Sequence, residues 1–166
     1  MIFVTVGTQL PFPRLIDAMN AIAADTGEEV IAQAGMVRQH RWDNLHAHEH
    51  LAPEAFEQLF GAARLVVGHA GIGTILTARQ LKRPLVVMPR RHALGEHRND
   101  HQLATAHQLE GHRGIYVAWD TEALAPLVTS DLAGWDGGAD APEPSRARLI
   151  GTLADFIAAD STPRKR

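Results

Sequence analysis

The sequence contains no cysteine, which excludes a disulfide framework, a thiolate nucleophile and a cysteine-ligated zinc. Serine is nearly as scarce. Ser130, Ser145 and Ser161 all fall late in the chain and none occupies a G-x-S-x-G elbow, so a serine-hydrolase triad is excluded. Positive charge is not in surplus either: 16 Lys+Arg against 19 Asp+Glu leave a net charge of -3. General nucleic-acid binding, which needs a basic face, is therefore not expected. No apolar run approaches the roughly 20 residues that a membrane-spanning helix requires. The opening M-I-F-V-T-V-G-T is apolar but short and lacks a basic leader, so it reads as neither a signal peptide nor a span. A soluble, cytoplasmic protein is the expectation.

What is present is apolar material in alternating patterns. The 166 residues are 45% hydrophobic, enough to bury one core and consistent with one domain over residues 1–160, followed by a disordered basic tail at 161–166. Ile2 to Val6 reads as a buried strand, and a helix follows with Leu15, Ile16, Met19, Ile22 and Ala23 on one face, ending near Gly27. Weaker strands are expected at Glu29–Gln33 and His46–Leu51. Ala55–Ala62 reads as a helix with Phe56, Leu59, Phe60 and Ala63 inward. The pattern continues as strand 64–68, helix 73–82, strand 85–88, helix 99–110, strand 115–119 and helix 121–130. The segment A-G-W-D-G-G-A-D-A-P-E-P-S reads as loop, and a last helix carries Leu149, Ile150, Leu153, Phe156 and Ile157. Such alternation predicts an α/β fold, a Rossmann-like parallel sheet with helices on both faces.

Ligands of such sheets sit beyond the carboxyl ends of the strands. Three polar segments follow strands on that edge: Gly7-Thr8, His69-Ala70-Gly71, and Pro89 to Gln102. In G-H-A-G-I-G-T, glycines 68, 71 and 73 are expected to turn the backbone tightly and let a ligand approach, with Thr74 near the first helical turn. The free N–H groups and positive dipole end of that helix suit a phosphate. The last segment, R-R-H-A-L-G-E-H-R-N-D-H-Q, is crowded with residue types that grip sugar hydroxyls and charged groups. Together these loops suggest a nucleotide-sugar site. They are not a dinucleotide fingerprint, because the third glycine falls at Leu76 and no acidic residue ends a second strand. No Gly-Lys-Ser/Thr follows, so a Walker loop is excluded too.

Ten histidines invite a metal reading. His46, His48 and His50 alternate along a candidate strand and would share one face, but no carboxylate partner accompanies them, and a solvated face is the plainer reading. His97 and His101, four apart, lack an H-E-x-x-H frame. Arg90 and Arg91 follow a buried strand on the ligand edge, where a guanidinium can offer paired donors to diphosphate or to a sugar carboxylate.

V-T-V-G-T-Q-L-P-F, H-A-G-I-G-T-I-L and M-P-R-R-x-x-L-G-E-H-R-N-D-H-Q resemble the small donor-binding subunit of two-component bacterial exopolysaccharide glycosyltransferases, over roughly residues 1 to 120. That subunit is similar to the C-terminal lobe of the peptidoglycan N-acetylglucosaminyltransferase family, glycosyltransferase family 28, and has a eukaryotic relative in lipid-linked N-acetylglucosamine transfer. The resemblance implies one lobe of a GT-B enzyme that binds a UDP-sugar. It implies that Gly7 and Thr8 border the diphosphate and that His69, Ala70, Gly71, Gly73 and Thr74 form the phosphate-binding helix start. Asn99, Asp100, His101 and Gln102 would address the sugar and ribose. Thr77 stands where many relatives carry a ribose-clamping glutamate, and Pro13 replaces an acidic residue at the first helical position, which suits proline.

The implied activity is inverting transfer from a UDP-sugar in exopolysaccharide, lipid-linked repeat-unit assembly, with no metal or other cofactor required. Only a donor lobe fits in this length. The resemblance therefore implies a membrane-anchored partner subunit that binds a lipid-linked acceptor, supplies the general base and holds this chain at the inner face of the membrane. An uncovered cleft face also suggests a homodimer in isolation. Arg90, Arg91 and Arg98, with His92 and His97, make the second loop unusually cationic, which makes glucuronate the leading sugar; UDP-glucose, UDP-galactose and UDP-N-acetylglucosamine are the alternatives. A nucleotide-sugar-binding regulatory module without transfer activity is the rival of another class.

Overall fold

A computed structural model describes residues 1–35 and 42–135. The expected last helix at 149–157, most of the glycine-rich loop before it and the basic tail lie outside the described residues. The twelve elements among the described residues follow the order read from the sequence. They are β1 (Ile2–Thr5), α1 (Pro13–Thr26), β2 (Val30–Gln33), β3 (His46–His48), α2 (Pro53–Ala62), β4 (Leu65–His69), α3 (Ile72–Gln80), β5 (Leu85–Met88), a 3-10 turn (His92–Leu94), α4 (His101–Leu109), β6 (Ile115–Val117) and α5 (Leu124–Thr129). The 3-10 turn was not anticipated, and the third strand is shorter than expected, stopping at His48.

All six strands run parallel in the order β3-β2-β1-β4-β5-β6. Strand alternation sends successive side chains to opposite faces, and two cores result. Ile2, Val4, Leu65, Val67, Val86 and Met88 pack with Leu15, Ile16, Met19, Leu124 and Val128 of α1 and α5. Phe3, Val66, Leu85 and Val87 pack on the other face with Phe60, Ile75, Ala78 and Ala106 of α2, α3 and α4. There Phe3 meets Phe56 and Phe60 edge-on, with ring centroids 5.3 and 5.9 Å apart; each such ring adds about 1.5–3 kcal/mol by leaving water. Local chemistry sets the helix ends. Pro13 opens α1, where its missing N–H costs nothing. Gly27, at φ +67°, closes it in the left-handed conformation, its N–H donating to the Ala23 carbonyl at 2.9 Å.

Chain order reverses between β1 and β4, because β1 leads through α1 to β2 on one side while β4 leads through α3 to β5 on the other. Loops leaving neighbouring strands in opposite directions open a crevice at the carboxyl edge. The fold thus brings the loops after β1, β4 and β5 to one place.

Candidate functional site

A cleft of about 590 Å³ opens there, lined by Thr5 to Leu10 after β1, His69 and Gly71 to Thr74 after β4, and Arg90, His97, His101 and Gln102 after β5. Nine of the thirteen residues proposed from sequence meet in it: Gly7, Thr8, His69, Gly71, Gly73, Thr74, Arg90, His101 and Gln102. The other four do not line it. Ala70 is buried in the α2–α4 core, and the Thr77 hydroxyl turns back to donate to the Gly73 carbonyl at 2.9 Å. Asp100 accepts the His92 N–H at 2.9 Å, and Asn99 accepts from the Nδ1 of His101.

The glycine loop works differently from the expectation. None of Gly68, Gly71 or Gly73 has a positive φ; the turn that needs one is at Gly7, φ +76°. Gly71 caps α3 in ordinary extended backbone, φ -96°, and what a side chain would meet there is the His69 ring, within 2.8 Å of its Cδ2. A Cβ on Gly7 would approach the same ring to 2.9 Å, so His69 is seated between the two glycines. Gly68 lets β1 and α3 close on β4: its Cβ would lie 3.0 Å from the Thr5 carbonyl oxygen and 3.2 Å from Thr74 Cγ2. Gly73 faces open space. The first bond of α3 runs from the Ile75 N–H to the Gly71 carbonyl at 3.2 Å, which leaves the N–H groups of Ile72, Gly73 and Thr74 without helical partners.

The arginines are also reassigned. Arg90 is only 3% exposed. Its Nη2 donates to the Val6 carbonyl at 2.9 Å and to the Leu10 carbonyl, and its guanidinium lies 5.1 Å from the centre of the Phe12 ring. It therefore ties down the loop after β1 while lining the cleft. Gln102, equally buried, accepts the Arg90 backbone N–H at 3.1 Å. Arg91 points elsewhere and donates to the Trp119 carbonyl. Glu96 absorbs further charge: it pairs with Arg14 through both oxygens at 2.6 and 2.8 Å and accepts the Arg91 N–H at 2.9 Å. Of the five basic residues read in this loop, only Arg90 and His97 line the cleft.

Several wall residues were missed. Gln33, at the end of β2, accepts the Leu51 N–H at 3.2 Å and so fixes the loop that brings His50, Leu51, Pro53 and Phe56 to the cleft. A polar residue closing an apolar strand was the available signal. His46, His48 and His50 do not share a strand face, since β3 ends before His50 and only His50 reaches the cleft.

Electrostatically the cleft is one-sided. Its described lining contains Arg90 and four histidines and no aspartate or glutamate. Burial, then the Arg90 guanidinium, push His69 down to about 4, so it is neutral near pH 7. Burial lowers Arg90 to about 10, still charged at neutral pH. His101 is lowered by burial and then by His97.

A strand-reversal cleft with a helix start and a buried arginine admits several nucleotide-binding families. Sequence comparison decides: residues 1–124 match the glycosyltransferase family 28 C-terminal domain. The chain belongs to that family. A comparison with curated protein sequences finds no match. Among solved structures, this family 28 domain is similar to the glycotransferase of kitacinnamycin, with a TM-score of 0.59 and 18% identity over 95% of this chain and 39% of that one. It is similar to ALG13, with a TM-score of 0.57 and 17% identity over 81% of this chain and 88% of that one. MurG of Acinetobacter baumannii gives a TM-score of 0.50 and 20% identity over 76% of this chain and 40% of that one. The family 28 domain thus spans about two fifths of the kitacinnamycin and MurG enzymes and most of ALG13. At these identities the likeness is one of fold, a GT-B lobe. Among the described residues no helix is long and apolar enough to cross a membrane.

Proposed function

We propose that this chain is the donor-binding lobe of an inverting glycosyltransferase and holds a UDP-sugar in the cleft at the strand reversal. The observation that carries the reading is a cleft whose described lining is free of carboxylates and combines the N–H groups of α3 that have no helical partner with the Arg90 guanidinium. Such a surface suits a diphosphate and repels nothing in it. In the proposed reaction an acceptor hydroxyl attacks the anomeric carbon in line. The glycosidic oxygen leaves with UDP, and the helix dipole with Arg90 offsets the charge that develops on the diphosphate. These groups do the work a divalent cation does elsewhere, so no metal is required.

The same lining offers no carboxylate to deprotonate the acceptor. We place the general base and the lipid-linked acceptor on a membrane-anchored partner subunit, in exopolysaccharide assembly at the inner face of the membrane. Leu76, outside the cleft lining on α3, and Ile72, on the cleft wall, are both 47% exposed and supply an apolar patch for it. As for the sugar, the glucuronate reading now rests on Arg90 and His97, since Arg91, His92 and Arg98 do not line the cleft. Competition of UDP-glucuronate against UDP-glucose on the folded chain tests it: equal affinity removes the carboxylate contact and leaves a neutral hexose donor.

The test of the function itself is sugar transfer by the purified chain with and without a membrane fraction containing the partner. Transfer that requires both supports the proposal. UDP-sugar binding with no transfer under either condition would establish the regulatory module instead.

A further inference from the structure

Two histidines in the cleft are held in a way that the phosphate site alone does not call for. The rings of His97 and His101 stand edge to face, with centroids 4.5 Å apart and an interplanar angle of 89°. Asn99 lies between them. Its side-chain oxygen accepts from His101 Nδ1 and, at 3.4 Å, from the His101 backbone N–H, while its own backbone N–H donates to His97 Nδ1 at 3.4 Å. An amide oxygen only accepts, so the neutral His101 ring carries its hydrogen on Nδ1 and keeps a lone pair on Nε2. His97, whose Nδ1 accepts, carries its hydrogen on Nε2. The pair therefore presents one fixed donor and one fixed proton acceptor in a cleft whose described lining has no carboxylate.

We infer that His97 and His101 form a one-proton acceptor for the donor's diphosphate, with Asn99 as its positioning residue: the pair takes up a proton as the anion binds, and donor affinity rises as the medium is acidified. This rests on the proposed UDP-sugar site. The surrounding charges agree with it. Arg90 acts on His69, which stays neutral, so the fixed charge on the β4 and β5 side of the pair is positive. Nearby acids are engaged elsewhere: Glu96 with Arg14 and the Arg91 N–H, and Asp100 with the His92 N–H. From the 3-10 turn, His92 meets the His97 carbonyl at 3.0 Å through Nδ1. Without ligand, burial and the neighbouring His97 disfavour a charge on His101. A diphosphate dianion reverses that balance and gains a charge-assisted hydrogen bond. Two imidazolium ions this close repel, so the pair gains one proton rather than two.

The test is calorimetric titration of the folded chain with UDP-glucose, from pH 6 to pH 8 and in buffers of different protonation heat. UDP-glucose is the probe because its phosphates do not titrate in that window, whereas a terminal phosphate does so near pH ~6. Expected are a buffer-dependent heat corresponding to uptake of at most about one proton and an affinity that rises by up to about tenfold per pH unit of acidification. Both should vanish in the double variant His97→Gln, His101→Gln. Asn99→Asp, which puts a carboxylate against Nδ1, should move the pH profile upward, a response that a packing role would not produce. UDP-glucose binding with equal affinity at pH 6 and pH 8 and no buffer dependence overturns this inference and leaves the donor site standing. No binding of UDP-glucose or UDP at any pH by the folded chain overturns both.

Discussion

Gly73→Leu separates a phosphate-binding glycine from a structural one. A Cβ at Gly73 meets nothing within 4 Å, and the residue lies in the first turn of α3 on the cleft wall. Replacing glycine by leucine inside a helix is worth up to about 0.8 kcal/mol in propensity, and less in a first turn. For a chain of this size that is a rise in Tm of about 1–3 °C without ligand. Binding should respond in the opposite direction. UDP at about 100 times its Kd stabilises a folded site by ~2.7 kcal/mol, or about 5–11 °C. A leucine side chain standing where the diphosphate approaches the Ile72 to Thr74 N–H groups should remove most of that shift. Thermal unfolding with and without UDP reads both effects. A variant that keeps the full UDP shift would refute placement of the diphosphate on α3. A Tm lowered by several degrees without ligand would refute the claim that the glycine has open space before it.

Acid should weaken the fold through His69. Its imidazole falls to about 4 in the folded chain against ~6.5 unfolded, so the unfolded state binds more protons as pH drops through that interval and stability is lost. Between pH 6.5 and 5 this costs about 2 kcal/mol; denaturant midpoints should show it, and His69→Gln should flatten the slope. Arg90→Ala should cost about 2–4 kcal/mol, because it strands the Val6 carbonyl and the partly buried Leu10 carbonyl and opens space beside Phe12. A urea midpoint unchanged by Arg90→Ala would mean that the guanidinium does not hold the β1 loop. Leu76→Glu, on exposed surface outside the cleft lining, should abolish capture of the membrane partner while preserving the UDP shift. Loss of both, or of neither, would remove the α3 patch from the interface.

Residue order alone determined most of the elements, though not the 3-10 turn or the end of β3, because periodicity is local. The period-2 and period-3.6 runs located β1, β4, β5 and α1 within a few residues and placed Phe56 and Phe60 inward. They also put three polar loops at the carboxyl edge of a parallel sheet, where the cleft lies. The sequence did not reveal why its glycines are glycines. Gly71 is needed for the ring of His69, and Gly68 for the approach of Thr5 and Thr74; such clearances involve segments distant in the chain. Nor did it show where its arginines point. Arg90 and Arg91 are adjacent in sequence, yet one clamps carbonyls of the β1 loop and the other reaches the Trp119 carbonyl, since consecutive side chains leave an extended backbone in opposite directions. Gln33 and the wall it supports became part of the site only because the strand order sets β2 beside β1. Hydrophobic spacing reports which face of an element is buried; which loops then meet, and which charges they cancel, depends on how the sheet is wound.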